Sequence, residues 1–137
     1  MDNENDIGRF LEAQADRWSG YDIALSEIRN GRKVSHWIWY VFPQLRGLGE
    51  SRRSYFFGLS GRPEAEAYLA HPVLGKRLRE ISEALLDWRD RSAERIFGGL
   101  DAMKVRSSMT LFDSISPNDV FGRVLEQFYG GGVIPIR

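Results

Sequence analysis

An all-α fold is what the sequence predicts: a single compact domain over residues 1–137, built from about seven or eight short helices with few or no strands. Three observations carry this expectation. Apolar residues recur at i, i+3, i+4 and i+7 in one segment after another. Residues that start or stop helices punctuate the chain at short intervals. Residues 35–42 have the β-branched and aromatic richness of a strand, yet no second run of that kind exists to pair with them.

Ile7, Phe10, Leu11 and Gln14 mark the first helix, and Tyr21, Ala24, Leu25 and Ile28 the second. Ser19 with Asp22 three residues on resembles a capping box, and Asn30-Gly31 offers the left-handed residues that end a helix. In 35–42 periodicity does not separate buried helix from buried strand. Ser35 as a cap and Pro43 as a terminator favour a short helix. Glycines at 47, 49, 58 and 61 predict a long surface connection over 44–61 around a short element at 55–57, and a loop of that length usually has a purpose.

Pro63 suits the first turn of a helix carrying Ala65, Tyr68 and Leu69, and Pro72 starts another with Leu74, Leu78, Ile81 and Leu85, closed by Trp88. Ser92 caps a short helix ending at Phe97-Gly98, and Asp101 caps one running through Ile115. Ser116-Pro117 opens the last, with Val120, Phe121, Val124, Leu125 and Phe128 inward, and Gly130, Gly131 and Gly132 stop it.

Composition narrows the function classes. At 137 residues, with 42% hydrophobic and 28% charged residues, the chain is long enough for one real core and has neither a disordered nor a fibrous make-up. The absence of cysteine excludes disulfides and thiolate chemistry and, with no export signal in an acidic N-terminus, predicts a cytoplasmic protein. The longest uncharged run, 34–45, has 12 residues, short of the roughly 18 needed to cross a membrane.

Nineteen basic and 19 acidic side chains give a net charge of zero, which argues against nucleic acid as a partner. The charge is unevenly spread. Residues 1–16 carry five acids against Arg9, a net −4, whereas 29–53 carry six bases against Glu50, a net +5. That basic stretch is interleaved with Trp37, Trp39, Tyr40 and Phe42, which suits a phosphate-bearing ligand held by charge and stacking, or equally a solvated face beside a core segment.

Of the two histidines, His36 lies in the aromatic run, where a polar ring needs a partner: it is a satisfied core residue, or a ligand and proton-transfer group. His71, before Pro72, reads as a connection residue. Two histidines without Glu-x-x-His pairing give no metal site, and phosphate-loop, dinucleotide, nucleophile-elbow and zinc-helix signatures are missing, so no cofactor is implied. Lys104, Ser107 and Ser108 stand at i, i+3 and i+4 and share a helix face. Such a face holds an anion, or pairs a serine nucleophile with a desolvated lysine, or leaves the serines bonding to the backbone.

Gly31-Arg32-Lys33, then Ser35-His36-Trp37-Ile38-Trp39-Tyr40-Val41-Phe42-Pro43-Gln44 and Gly47-Leu48-Gly49, together resemble a bacterial family filed as domain of unknown function 1810. Ala67-Tyr68-Leu69-Ala70-His71-Pro72-Val73-Leu74-Gly75, Ile96-Phe97-Gly98 and Lys104-Val105-Arg106-Ser107-Ser108-Met109-Thr110-Leu111-Phe112 extend the likeness in order, up to the more apolar tail after Gly132. The resemblance implies a single, mainly helical domain with no assigned activity, sometimes labelled calpastatin-like. Inhibitors of that type resemble disordered repeats, whereas this composition forms a core.

Two functions follow as expectations. The first is a pocket between 35–44 and 104–108 for a small anionic or nucleotide-like molecule, ADP-ribose-type ligands included, with Trp37, Trp39, Gln44, Ser107 and Ser108 binding. Should chemistry occur there, His36 would serve as acid or base and Lys104 as electrophilic stabiliser. The second is a non-catalytic module that docks a protein through the 44–61 loop and Arg46, Arg52 and Arg53.

Overall fold

The predicted apolar stripes form buried helix faces in the computed structural model of the chain, which describes residues 6–47 and 51–130. Nine α-helices occur among the described residues, and no strand: α1 (Gly8–Gln14), α2 (Tyr21–Arg29), α3 (Ile38–Val41), α4 (Arg52–Phe57), α5 (Arg62–Ala70), α6 (Leu74–Leu86), α7 (Ala93–Phe97), α8 (Gly99–Ile115) and α9 (Val120–Tyr129). Phe10, Ile28, Leu74, Ile81, Phe112 and Phe121 are fully enclosed, each contributing on the order of 1.5–3 kcal/mol of burial energy. α8 packs against α7 and α9, α6 bridges α2, α5 and α9, and the short α3 is held between α1, α4 and α8.

The aromatic run settles as a single helical turn. A lone strand would leave its amide groups unpaired in the core; helix lets Val41 N–H and Phe42 N–H bond back to Trp37 and Ile38 carbonyls at 3.2 and 3.1 Å. The 44–61 connection is less irregular than predicted. Ser51 caps α4 by accepting from the Ser54 N–H at 3.0 Å, so the element expected at 55–57 is the second half of a six-residue helix. An isolated parallel bridge, Leu45 with Leu59, closes the connection at its base.

Four expected caps are placed differently, Ser35 first among them: α3 starts after Trp37 with no side-chain cap, and the Ser35 hydroxyl donates to Glu27 instead. Ser19 gives way to Gly20, since a Cβ there would meet the Asp16 and Gln14 carbonyl oxygens at 2.2 and 2.5 Å; the chain folds back too tightly for a side chain. Asp101 lies inside α8, whose cap is Gly98 at φ 83°, and Asp119 rather than Ser116 opens α9, accepting from the Val120 N–H at 2.7 Å. Ser92 caps α7 as expected. The turn at 48–50, the first five residues and the tail from 131, including Val133, Ile134 and Ile136, lie outside the described residues.

Candidate functional site

The site is built on Glu27, near the end of α2. Its Oε1 accepts from the Val34 N–H at 2.8 Å, the Ser35 N–H at 2.9 Å and the Trp37 indole N–H at 2.8 Å, and its Oε2 accepts from the Ser35 hydroxyl at 2.6 Å. Burial pushes this carboxyl up, but the hydrogen bonds from Ser35, Val34 and Trp37 outweigh it and hold Glu27 below the usual carboxylate range. The segment 34–37 is thereby pinned with Trp37 inward, fully enclosed beside Phe42 and Phe97, and with Val34 and His36 exposed.

Outside that segment lies an open cleft of about 660 Å³, lined by Trp18, Ser19, Val34, Ser35, His36, Trp39 and Arg53. Trp18 stands at its lip, 76% exposed, on a turn fastened by the Asp16 carboxylate, which accepts from the Trp18 and Ser19 N–H groups at 2.7 and 3.0 Å. The exposed Arg53 guanidinium lies 5.6 Å from the Tyr40 ring centre and 5.7 Å from that of Phe57, and makes no ion pair with a described residue. No carboxylate is among the lining residues.

Trp39 ties this cleft to α8. The Lys104 ammonium sits 4.0 Å from the Trp39 ring centre and 3.0 Å from Asp101 Oδ1, while Asp101 Oδ2 pairs with the Lys33 ammonium at 2.8 Å. Lys33, with an 8% exposed side chain, in turn lies 5.3 Å from the Trp37 ring centre. Two ammonium groups share one carboxylate, so the cluster carries one net positive charge. Burial alone raises the Asp101 carboxyl, yet hydrogen bonds and charges from Lys33 and Lys104 prevail and lower it.

The residues singled out in the sequence therefore separate. Trp39 and Lys104 touch, and His36 shares the cleft with Trp39. Trp37 offers no stacking face to an open pocket, because Glu27 holds its N–H and the core encloses its ring. Ser108 is fully buried, with no hydrogen-bond partner for its hydroxyl, and Gln44 is buried where its carbonyl accepts from the Leu59 N–H at 2.9 Å. Ser107 is half-buried. A Ser-Lys nucleophile pair is absent from α8: Lys104 is bonded to Asp101, and no hydrogen bond joins it to Ser107 or Ser108 among the described residues. His71 accepts from the Val73 and Leu74 N–H groups at the α5–α6 connection, as its place before Pro72 predicts.

Sequence reasoning missed Trp18, Glu27 and the pairing role of Asp101, and counted Lys33 and Arg53 only within the basic 29–53 stretch, with Arg53 also on the 44–61 loop. The Asp16-to-Ser19 turn was findable, since aspartate accepting from the amides two and three residues on is a known turn signal. Glu27 had no such signal: its four donors, on three residues, are seven to ten positions away and declare themselves only in the fold. Among the described residues no three His, Asp or Glu side chains gather as metal ligands, and no helix is long and apolar enough to cross a membrane.

A family model described as "Protein of unknown function (DUF1810)" matches residues 4–135. The crystal structure of the conserved hypothetical protein Rv1873 from Mycobacterium tuberculosis superimposes with a TM-score of 0.87 at 45% identity, covering 93% of this chain and 89% of that one. Among curated proteins no match is found.

Proposed function

The chain belongs to the DUF1810 family, and on that premise we propose that the Trp18–His36–Trp39–Arg53 cleft binds a small anionic or nucleotide-like molecule. The supporting observation is the cleft's composition: two indoles, an imidazole and a guanidinium meet without a carboxylate. The exposed Trp18 indole and the half-buried Trp39 indole offer stacking surface for a planar ring, and an arginine fork that makes no ion pair with a described residue suits the oxygens of a phosphate or carboxylate. Lys104, seated against Trp39, fixes that ring and adds positive field without entering the cleft lining. His36 is the lining side chain suited to proton transfer, so any group transfer in the cleft runs through it.

A thermal-shift screen with nucleotides, sugar phosphates and carboxylates tests this reading. A ligand present at 100 times its Kd stabilises by about 2.7 kcal/mol, which shows as a raised melting temperature. The shift is expected for the wild type and is expected to vanish in Arg53→Gln and Trp18→Ala with the unliganded melting temperature preserved. No shift from any member of the screen rejects the cleft as a ligand site.

One observation favours a second reading, a protein-docking module. Tyr55 is 52% exposed with the Arg46 guanidinium 4.4 Å from its ring centre, the aromatic-arginine pairing typical of interface anchors. In that case Tyr55→Ala abolishes binding of a partner recovered by crosslinking, and Arg53→Gln leaves it intact.

A further inference from the structure

Both indoles that line the cleft already carry a cation. The Lys104 ammonium lies over the Trp39 ring, 4.0 Å from its centre, and the Arg17 guanidinium lies 5.8 Å from the centre of the Trp18 ring. Neither cation is itself a lining residue, so each acts on its indole while the indole meets the ligand.

Left alone, two indoles and an imidazole would attract a cationic ring or a quaternary ammonium group, because the face of a π system is negative. A cation already seated on the indole reverses that preference. It draws π density toward itself, and a second cation on the rest of the ring is repelled across the indole. At Trp39 this first charge is not cancelled. Asp101 gives Oδ1 to Lys104 at 3.0 Å and Oδ2 to Lys33 at 2.8 Å, so one carboxylate answers two ammonium groups and one positive charge remains. Both ammonium groups are partly buried, and salt screens them less than it screens the exposed Arg17. Arg53 is answered by the ligand's own phosphate, so the charge left to act on the ligand's ring is that of the lysine cluster.

On the basis of the anion site proposed above, we infer that the cleft selects its ligand by the charge of the ring, taking neutral or anionic planar rings and rejecting cationic ones, with Lys104 as the specificity-determining residue acting through Trp39. A nucleotide with an uncharged base fits this lining. The same nucleotide alkylated to a cationic base does not, and neither does a quaternary ammonium ligand.

Two isomeric probes isolate the ring charge. N6-methyl-AMP has a neutral ring and N1-methyl-AMP a cationic one at neutral pH, while the phosphate and the added methyl group are common to both. Calorimetric titration of the full chain at neutral pH reads the ratio of their Kd values, in which the phosphate contribution cancels. N6-methyl-AMP is expected to bind at least about tenfold more tightly than N1-methyl-AMP. Lys104→Met and Lys104→Gln are expected to narrow that gap to within about threefold, and Lys104→Arg, which restores the charge, to keep it near about tenfold. A lysine that served only to hold Trp39 in place would shift both isomers together and leave the ratio unmoved. Melting temperatures establish that the variants fold. Equal affinity of the isomers for the wild type, a gap that survives both neutral variants, or its loss in Lys104→Arg overturns the inference and leaves the anion site standing. Failure of both isomers to bind at millimolar concentration overturns it together with the nucleotide reading beneath it.

Discussion

At Glu27, four donors from three residues converge on one carboxylate, and the wall of the cleft depends on them. Glu27→Gln keeps the shape but turns one acceptor into a donor, which then faces N–H or O–H groups that also donate. The expected loss is about 1–3 kcal/mol in urea unfolding, with a change in tryptophan fluorescence as the Trp37 indole loses its partner. The lysine cluster makes a graded comparison. Asp101→Asn leaves the nearly buried Lys33 without its counter-charge and should cost about 1–3 kcal/mol. Lys104→Met keeps the Lys33–Asp101 pair and most of the packing on Trp39, and should cost less than about 1 kcal/mol. The shared face of Lys104, Ser107 and Ser108 was legible from spacing alone, but its meaning was not. Asp101 obeys the rule for a helix cap equally well as the rule for an i, i+3 ion pair, and Lys33, the residue that decides between them, lies 68 positions away.

Among the helices, α1, α4 and α5 are locked together by Arg9, which is 1% exposed. Its guanidinium makes five hydrogen bonds, to the Asp6, Phe56 and Gly58 carbonyls and to both oxygens of Glu64. Ala15 and Asp16 just after α1, and Arg53 and Phe57 on α4, line a hollow of about 300 Å³ beside the cleft, so this lock ties together the two helices that wall it. Arg9→Ala leaves the part-buried Glu64 without its counter-charge and the Phe56 and Gly58 carbonyls without their guanidinium donor, and a loss of about 3–5 kcal/mol in chemical denaturation is expected. Arg9→Lys recovers little of it, since an ammonium does not reproduce the fork. The apolar stripes were readable because burial repeats with the helix period, whatever the neighbour. Caps and locks were not: Ser19 and Gly20 are both acceptable helix starts, and the carbonyl packing around residue 20 that selects glycine exists only after folding.

Taken as a whole, the described molecule carries its acid-side pH dependence in five carboxylates: Asp16, held low by the Trp18 and Ser19 backbone N–H groups, and four on different elements. Burial raises each of these four, and hydrogen bonds with or without ion pairs more than compensate: Ser35, Val34 and Trp37 for Glu27, Arg9 and Ser60 for Glu64, Lys33 and Lys104 for Asp101, Val120, Ser116 and Arg79 for Asp119. A carboxyl with a lower pKa folded than unfolded binds fewer protons in the native state, so its contribution is fully present above the unfolded value, about 4. That contribution is lost as pH falls through the lower folded values. Tyr21 and Tyr68 act in the opposite direction. Burial, reinforced at Tyr21 by Glu80, raises both, so their contribution is present below the unfolded tyrosine value of about 10 and is lost as pH rises beyond it. Melting temperature measured from pH 2 to 11 should therefore show a plateau with an acid limb below about pH 4 and an alkaline limb above about pH 10. Glu27→Gln, with a lower plateau, should show a shallower acid limb, because one of the five sources of proton linkage is gone. An acid limb of unchanged steepness in that variant would assign the acid sensitivity to the other four groups and remove Glu27 from the account.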